Sequence, residues 1–413
     1  MATPAVVSNI PSSLWHNRSF LRLWLAQLIS NAGTSITNVA LPLTAVLVLG
    51  ATPAQMGLLG IAGSLPNLLF GLVAGVWVDR TRRRPILVGA DLGRAVLLGT
   101  IPLAAWLGTV TFLHLWVVAF LAGSLTVFFQ IASIAVLPAL VTKTQLVEAN
   151  SKLSIGDSVI SIAGPGVAGG LVQLLSAPKA IIVDAISYLL SALALGGIGA
   201  TEARPVRGPG HIWGEIVEGV RELVGTPLLK VLTITSSIGM LAGAVQGTVE
   251  VLFLARELNL TPVMIGLVFA CGGGGSLIGA LCAGWASRRL QTGLSLILGK
   301  SLWIIGSLML PLAGLIGQEL ALVAGGQVLI GLGSTIYFVN QLSLRQAITA
   351  QSLLGRVTAA RRFILFGMAL LGATLGGALG TAIGLRATLL VGVVALAGEL
   401  LLIISSPIRR ARV

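Results

Sequence analysis

The chain has 413 residues, of which 55% are hydrophobic and 9% are charged. A soluble surface normally carries about 25% charged residues, so this composition excludes an ordinary water-soluble protein and indicates one that lies in a membrane. The net charge of +13 is best explained by membrane topology and attraction to anionic lipids, because the chain offers no separate polar domain on which nucleic acid could bind.

Twelve apolar runs approach or exceed the roughly 20 residues that a helix needs to cross a bilayer core. In chain order these predicted spans cover residues 20–49, 55–78, 86–107, 113–137, 153–175, 180–199, 229–254, 262–287, 294–315, 320–341, 360–383 and 387–406. Barrel strands are excluded because they need only about 9 to 11 residues and alternate in polarity. The sequence therefore predicts an all-α membrane protein with twelve transmembrane helices.

An offset of 208 residues lays the first half of the chain on the second, as when Gly71 falls on Gly279 and Trp77 on Trp285. Further pairs at this offset are Arg80 with Arg288, Ala139 with Ala347, Gly164 with Gly372, Gly169 with Gly377, and Asn38 with Gln246. Because the offset is close to half of the length, it indicates a duplicated chain folded as two pseudo-symmetric bundles of six helices. Two related membrane halves are typical of transporters with a site between them.

A polar, turn-rich segment separates the first six predicted spans from the last six. We therefore expect an N-terminal bundle at residues 1–199, a linker at 200–228 and a C-terminal bundle at 229–413. One face of a predicted helix in the linker collects four apolar residues, Ile212, Ile216, Val220 and Leu223. This helix could lie on the inner membrane surface or could be only a solvated connector, and the pattern does not choose between them.

The positions of Lys and Arg set the expected orientation, because these residues are retained on the cytoplasmic side. With the N-terminus inside, only Lys179, Arg256 and Arg386 of the 26 Lys and Arg fall at outer loops. Both termini are therefore expected in the cytoplasm. Residues 1–17 lack the pattern of a cleavable secretory signal, so the first span should act as its own insertion signal.

The two cysteines, Cys271 and Cys282, lie 11 residues apart in the eighth predicted span. The rise of the helix places them too far apart for a disulfide, and two thiols without histidine or acidic neighbours make a poor metal site. We expect a structural role for both, and we expect neither a metal nor a cofactor.

A basic turn joins the second and third predicted spans. It fits the pattern Gly-x-Leu-Ala-Asp-Arg-x-Gly-Arg-Lys-x-x-Leu at Gly75, Asp79, Arg80, Arg83, Arg84 and Leu87, and it departs from that pattern at Trp77, Val78 and Arg82. This pattern is the signature of the major facilitator superfamily, which the chain resembles over nearly its whole length. Within the superfamily the chain is similar to the bacterial exporters that include macrolide efflux proteins and the enterobactin exporter.

The fifth span carries a segment that resembles the antiporter motif of the superfamily. The matching residues are Gly164, Pro165, Gly169 and Gly170. This segment favours export, although a span rich in glycine and proline can also simply pack closely or bend.

The resemblance also implies a role for the basic turn. Asp79 would meet the N-terminal end of span eleven, near Arg361 and Arg362, where a helix end attracts a carboxylate. Such a contact exists in only one of two alternating states, so Gly75, Asp79 and the arginines around them would form a latch that favours the outward-open form. Alternatively, the cluster only sets topology.

Polar residues inside the spans are expected to face protein or water, because an unpaired polar group facing lipid is costly. The resemblance implies that spans one, four, seven and ten line a central cavity. The predicted substrate-binding residues on these spans are Gln27, Asn31, Thr34, Asn38, Phe128, Gln130, Met240, Gln246, Gln327, Ser334, Tyr337, Phe338 and Gln341. Such a cavity would suit a large amphipathic compound, either neutral or cationic. Single amides, however, often only bond neighbouring helices.

Five carboxylates lie within the predicted spans: Asp91, Asp157, Asp184, Glu250 and Glu399. A carboxyl group surrounded by protein can exchange protons near neutral pH. Asp91 should pair with Arg94 three residues along its helix, and we interpret Glu399 with Lys300 as an ion pair between peripheral spans. Glu250 is the first candidate for a proton carrier, Asp157 the second and Asp184 the third, while a structural role for Glu250 stays open.

The favoured function is export of an amphipathic small molecule by proton antiport and alternating access. We expect a monomer in the bacterial inner membrane, with protons, the substrate and the lipid bilayer as its partners. One alternative is export of a siderophore or other secondary metabolite, and a remote one is a polytopic membrane transferase. The scattered histidines and the lack of an acidic cluster argue against an enzyme, and the lack of a phosphate-binding loop argues against ATP-driven pumping.

Overall fold

A computed structural model of the chain describes residues 14–71, 73–198, 212–315, 317–351 and 353–411. These ranges are helical apart from short connections and contain no strand. The α-helices are α1 (Arg18–Leu47), α2 (Pro53–Phe70), α3 (Val73–Asp79), α4 (Arg83–Trp106), α5 (Phe112–Leu140), α6 (Leu146–Leu175), α7 (Ala177–Gly196), α8 (Ile212–Gly225), α9 (Pro227–Leu252), α10 (Pro262–Leu290), α11 (Thr292–Leu312), α12 (Glu319–Ile348), α13 (Leu354–Ala382) and α14 (Leu385–Ser405).

Capping side chains explain where several helices begin. Asn17 accepts a hydrogen bond from the Phe20 amide at 3.1 Å, and its own amide donates to the Leu140 carbonyl at 2.7 Å, so it both caps α1 and ties it to α5. Thr52 and Gln55 form a reciprocal capping box at the start of α2. These contacts satisfy backbone donors that the first turn of a helix leaves free.

The prediction of an all-α membrane fold with twelve spans is confirmed. Ten of the described helices, α4 to α7 and α9 to α14, are long and apolar enough to cross a membrane. The 30-residue helix α1 and the pair α2 and α3 lie at the positions of the other two predicted spans. The second span was predicted as one run, whereas the structure describes it as two helices on either side of residue 72. Cys271 and Cys282 are both free thiols, as expected.

The helices group into two bundles by packing. In the first, α7 lies between α1 and α4, while α5 joins α4 to α2; in the second, α12 joins α10 to α11, and α9 packs on α13 and α14. The linker helix α8 lies against α13 and α9 of the second bundle. There Glu218 pairs with Arg356 at 2.5 Å and Leu223 is buried, while Val217 and Val224 remain exposed. The division at residues 200–228 itself stays a prediction, because 199–211 lie outside the described residues.

The two bundles meet through α2 with α13 and through α6 with α10. These contacts are backbone against backbone. A Cβ placed on Gly266 would lie 2.8 Å from the Cα of Gly169, and one placed on Gly377 would lie 3.2 Å from the Cα of Gly57. Only glycine permits such an approach, which places two helices side by side without interlocking side chains.

These interbundle contacts lie toward one end of the molecule. We call the end at which α1 begins and α14 ends the near end, and the opposite one the far end. Pro53 and Gly377 meet at the far end, whereas at the near end Asn67 of α2 and Thr358 of α13 line a gap of about 240 Å³. The bundles therefore touch at the far end, and a gap lies between α2 and α13 at the near end.

Gly266→Val should separate the bundles at the far end, because the added side chain has no room beside Gly169. Gly274→Val is the matched control, since a Cβ at that position on the same helix meets nothing within 4 Å. We expect the distance between α6 and α10 to lengthen in the first variant only.

Spin labels at the exposed Leu174 and Leu267 would report that distance. The native Cys271 and Cys282 must first be replaced by serine so that only the labelled sites react. If Gly266→Val left the distance distribution unchanged, the glycine contact would not be what closes the far end.

Candidate functional site

A cavity of about 310 Å³ lies between the two bundles, and we call it the central cavity. Its wall is mainly apolar. The polar groups that reach it are Thr37 and Asn38 of α1, Ser64 of α2 and Thr248 of α9. Of the predicted substrate-binding residues, Asn38 lines the central cavity.

A second cavity, also of about 310 Å³, extends into the C-terminal bundle, and we call it the C-terminal cavity. It shares Ser64, Ala244 and Ala369 with the wall of the central cavity, so the two adjoin. The side chains that give it its chemistry are Ser236, Met240, Lys300, Trp303, Tyr337, Phe338, Leu365 and Glu399. Met240, Tyr337 and Phe338 were predicted from the sequence as substrate-binding residues.

The predicted ion pair between Lys300 and Glu399 is confirmed, with 2.8 Å between Nζ and Oε2 and both side chains 0% exposed. The pair lies on the expected spans, α11 and α14, and both of its side chains reach inward to line the C-terminal cavity. The reason is Gly239 on α9. A Cβ there would lie 2.6 Å from Glu399 Oε2, so the missing side chain lets a carboxylate from α14 reach inward. This glycine is the sequence signal that could have revealed the site.

Glu250 bonds across the C-terminal bundle. The amide nitrogen of Gln327 on α12 donates a hydrogen bond to its carboxylate, and Gln327 in turn lies against Gly272 of α10. Neither the central cavity nor the C-terminal cavity is lined by Glu250 in this conformation. The two predicted residues Glu250 and Gln327 thus bond each other.

In the N-terminal bundle the polar stripe of α1 contacts α6 and α7. Asn31 donates to Asp157 at 2.8 Å, and the hydroxyls of Thr34 and Tyr188 lie 2.8 Å apart. These contacts join neighbouring helices, and neither Asn31 nor Thr34 lines the two cavities.

Asp184 is fully buried and connects to the central cavity through one residue. Its carboxylate accepts hydrogen bonds from Thr37 and, at 3.1 Å, from Ser187. Since Thr37 lines the central cavity, Asp184 is one hydrogen bond away from that space.

Three other predicted substrate residues bond the protein itself, and two of them hold helices together. Gln246 donates to the Leu389 carbonyl of α14 at 3.2 Å, and Gln341 donates to Ser236 at 3.3 Å. Ser334 bonds the Gly331 carbonyl within its own helix at 3.1 Å.

The remaining predicted substrate residues lie on α1 and α5. Phe128 packs its ring against Phe70 and Trp77, with centroids 5.9 and 5.3 Å apart. Gln130 is exposed and Gln27 is partly buried, and neither lines the two cavities.

The residues of the expected latch are not brought together by any described contact. The side chain of Asp79 lies outside the described residues, and Arg80 and Arg84 are exposed. Arg361 is buried and donates to Ser236 at 2.8 Å, while Arg362 lies over the Phe366 ring at 5.9 Å. The latch therefore stays a prediction.

The antiporter-like segment takes part in the far-end contact between the bundles. Gly169 and the Pro165 carbonyl both lie against Gly266 of α10, whereas Gly164 packs on Ser35 of α1. A Cβ at Gly170 would meet open space. The segment thus acts here as a surface for close packing.

Each bundle contains a buried cation held by a carboxylate and two aromatic rings. Arg94 pairs with Asp91 and lies over the rings of Phe129 and Tyr188, at 4.4 and 4.1 Å from their centroids. Lys300 pairs with Glu399 and lies over Trp303 and Tyr337, at 4.0 and 4.1 Å.

The 208-residue offset relates parts of these two clusters. It takes Phe129 to Tyr337 and Ser191, which bonds Asp91 at 2.5 Å, to Glu399. The offset thus relates neighbouring positions of the two clusters but not the charges, because Asp91 falls on Gly299 and Lys300 on Leu92. In the N-terminal bundle both charges lie on one helix, whereas in the C-terminal bundle they come from α11 and α14.

Arg94→Met should destabilise the protein by roughly 3–5 kcal/mol, because Asp91 would remain buried without its counter-charge. Replacing both residues, with Asp91→Asn added, should restore most of that stability, since no uncompensated charge remains. Glu148→Gln, which removes an exposed pair with Lys152, should change stability by less than about 0.5 kcal/mol. Unfolding of the purified variants in detergent would measure these differences, and equal stability of the single and double variants would contradict the pairing argument.

Comparison with known proteins shows which family the chain matches. A model described as Major Facilitator Superfamily matches residues 23–369. The multidrug efflux pump Tap of Mycolicibacterium fortuitum is 29% identical over 382 residues, covering 90% of this chain and 91% of that protein. Macrolide efflux protein A of Streptococcus pyogenes is 25% identical over 341 residues, covering 82% of this chain and 83% of that protein.

Solved structures agree on the fold. A bacterial homologue of the iron transporter ferroportin in an inward-facing state superimposes with a TM-score of 0.74 at 17% identity, covering 95% of this chain and 99% of that one. The nucleoside transporter NupG gives a TM-score of 0.77 at 10% identity, covering 94% of this chain and 99% of that one.

Proposed function

The chain belongs to the major facilitator superfamily, and from this premise we propose that it exports an amphipathic small molecule by alternating access and proton antiport. The named activities of the Tap pump and macrolide efflux protein A, whose lengths the chain largely covers, support export of a drug-like compound. We further propose that it acts as a monomer in the bacterial inner membrane with both termini in the cytoplasm, as the basic residues predict.

The observation that carries the transport proposal is the one-sided closure of the two bundles. They touch at the far end through glycine backbone and leave a gap between α2 and α13 at the near end. A contact of backbone on backbone can part and re-form as two rigid bodies rock, because no side chains have to withdraw from one another. The cavity between the bundles would then open alternately to the two sides.

The chemistry of the two adjoining cavities supports an amphipathic substrate. Apolar residues make up most of the wall of the central cavity, and aromatic rings and Met240 dominate the C-terminal cavity. Ser64, Thr248 and Ser236 supply scattered polar groups that can orient a ligand without demanding one structure. Flexible methionine and aromatic surfaces accommodate several ligands.

Glu250 is our first candidate for the proton carrier. Its carboxylate receives a hydrogen bond from the neutral amide of Gln327, and no ion pair of the described residues includes it. A carboxyl group without a counter-charge in such surroundings can take up and release a proton as access alternates. Asp157 and Asp184 remain the other candidates, and the link through Thr37 favours Asp184 of the two.

Glu250→Gln should abolish proton-driven export while leaving downhill substrate exchange intact, because the amide keeps the shape of the side chain and removes its titration. Reconstituted vesicles with an imposed pH difference would measure both processes, with Glu148→Gln as an exposed control. Full export against a gradient by Glu250→Gln would make that residue structural and transfer the role to Asp184 or Asp157. Offering the vesicles a macrolide and a siderophore separately would distinguish the two kinds of cargo.

Asp79→Asn should impair export without reducing insertion, because it removes the charge that the proposed latch requires. Distances between labels on the two bundles should move toward the state seen here, which is closed at the far end. Normal export together with unchanged distances would rule out the latch and leave the basic turn as a topology signal.

A further inference from the structure

We propose that Lys300 and Glu399 form a cation-exchange site, in which a protonated amine binds Glu399 and Lys300 releases its proton. The site lies in the C-terminal cavity, between α9, α11, α12 and α14. The proposal deepens the proposed export function and rests on it only for the claim that the bound amine is cargo.

One oxygen of Glu399 lacks a hydrogen-bond donor within the part of the chain that the structure describes. Oε2 accepts the hydrogen bond from Lys300, whereas Oε1 has no hydrogen-bond partner among the described residues although the side chain is 0% exposed. A buried acceptor without a donor is costly, so this oxygen favours any N–H group that can reach it. Because Glu399 lines the cavity, a ligand there can supply that group.

The aromatic wall suits an ammonium group with a hydrocarbon body. Lys300 already places its ammonium 4.0 Å from the Trp303 ring centroid and 4.1 Å from that of Tyr337. The face of an aromatic ring attracts any cation in this position. Phe338, whose ring lies 5.7 Å from that of Trp303, adds apolar surface for the rest of the ligand. A volume of about 310 Å³ admits a ligand with at least one ring system.

Two ammonium groups cannot share this cavity at low cost, because like charges repel strongly where water is excluded. Lysine, unlike arginine, can give up its proton when it is buried. In the exchange, an N–H of the incoming ammonium donates to Glu399 Oε1, and one proton leaves Lys300 Nζ for solvent. The net charge of the site is zero before and after, and no covalent bond between heavy atoms changes.

No other group in the cavity would perform this exchange. The titratable side chains that face Lys300 are Glu399 from α14 and Tyr337 from α12. Helix α9 contributes Gly239 and Met240, and its Ser236 separates the cavity from Arg361 of α13, which stays protonated. Lys300 is therefore the group able to lose a proton when a cation enters.

The N-terminal bundle also reaches this site. Ser64 of α2 lines both cavities, together with Ala244 and Ala369 from the C-terminal bundle. An amine bound at Glu399 thus lies beside the interface that alternating access would open. This position would let cargo and proton exchange at the same point of the cycle.

The test uses the purified full chain in detergent, with radiolabelled tryptamine as the probe and tryptophol, which carries a hydroxyl in place of the ammonium, as its uncharged counterpart. We expect tryptamine to bind at least about tenfold more tightly than tryptophol. Calorimetry in two buffers of different ionisation enthalpy should show about one proton released per bound tryptamine and none per bound tryptophol.

Lys300→Arg is the decisive variant. It keeps the charge and the pair with Glu399 but cannot deprotonate, so tryptamine binding should weaken by about tenfold while tryptophol binding is retained. The combined Lys300→Met and Glu399→Gln variant removes both charges together, which leaves no uncompensated charge to unfold the bundle. It should bind both compounds with equal affinity and release no proton, whereas Glu148→Gln should behave as the native protein.

Two results would overturn the proposal: tryptamine binding no more tightly than tryptophol, or Lys300→Arg binding tryptamine with native affinity and proton release. These measurements need no gradient and no vesicle. Binding with proton release but without transport would therefore contradict the proposed export function and leave the exchange site standing. Proton-driven export without charge-selective binding would do the reverse.

Discussion

Inside a bilayer every polar group must find its partner within the protein, because no water is present to satisfy it. This constraint organises the interior of both bundles. Asp91 is satisfied by Arg94 and Ser191, Asp184 by Thr37 and Ser187, and Glu250 by Gln327. The bonds of Asp91 with Ser191, of Asp184 with Thr37 and of Glu250 with Gln327 each join two helices. The polar groups that cost most to bury therefore also fix which helices lie together.

Where the bundles meet, glycine backbone makes the contact instead of polar side chains. At Gly169 with Gly266, and at Gly57 with Gly377, helices touch without polar bonds or interlocking side chains. Interactions within a bundle are therefore specific and directional, whereas these glycine contacts between the bundles depend on close packing. A molecule built this way keeps each bundle rigid while the contact between them can open, which is the physical requirement for alternating access.

The two cavities lie next to these two kinds of contact. The central cavity borders the glycine contacts, and the C-terminal cavity borders the buried pair of Lys300 and Glu399. The duplicated chain has diverged here. The N-terminal cation and its acid share α4, whereas the C-terminal pair spans α11 and α14 and leaves one carboxylate oxygen without a donor. The C-terminal cluster lines a cavity and has an acceptor without a donor in the described part of the chain, which makes the C-terminal half the better place for a ligand.

The sequence alone determined the number of spans, their approximate limits and the two-fold repeat, because apolar length and a constant offset are properties of the chain itself. It also identified Asp91 with Arg94, since three residues along a helix place two side chains on one face. It correctly paired Lys300 with Glu399 from their similar depth in the membrane.

Which way a polar residue faces was decided only by the tertiary structure. Met240 and Gln246 both lie on α9, yet Met240 lines a cavity and Gln246 bonds α14. The spacing along one helix does not specify which neighbour covers each face or where a neighbour leaves space. Gly239 opens α9 to Glu399, so this side chain lines a cavity although its span was expected at the periphery. The shape of that cavity depends on six helices at once.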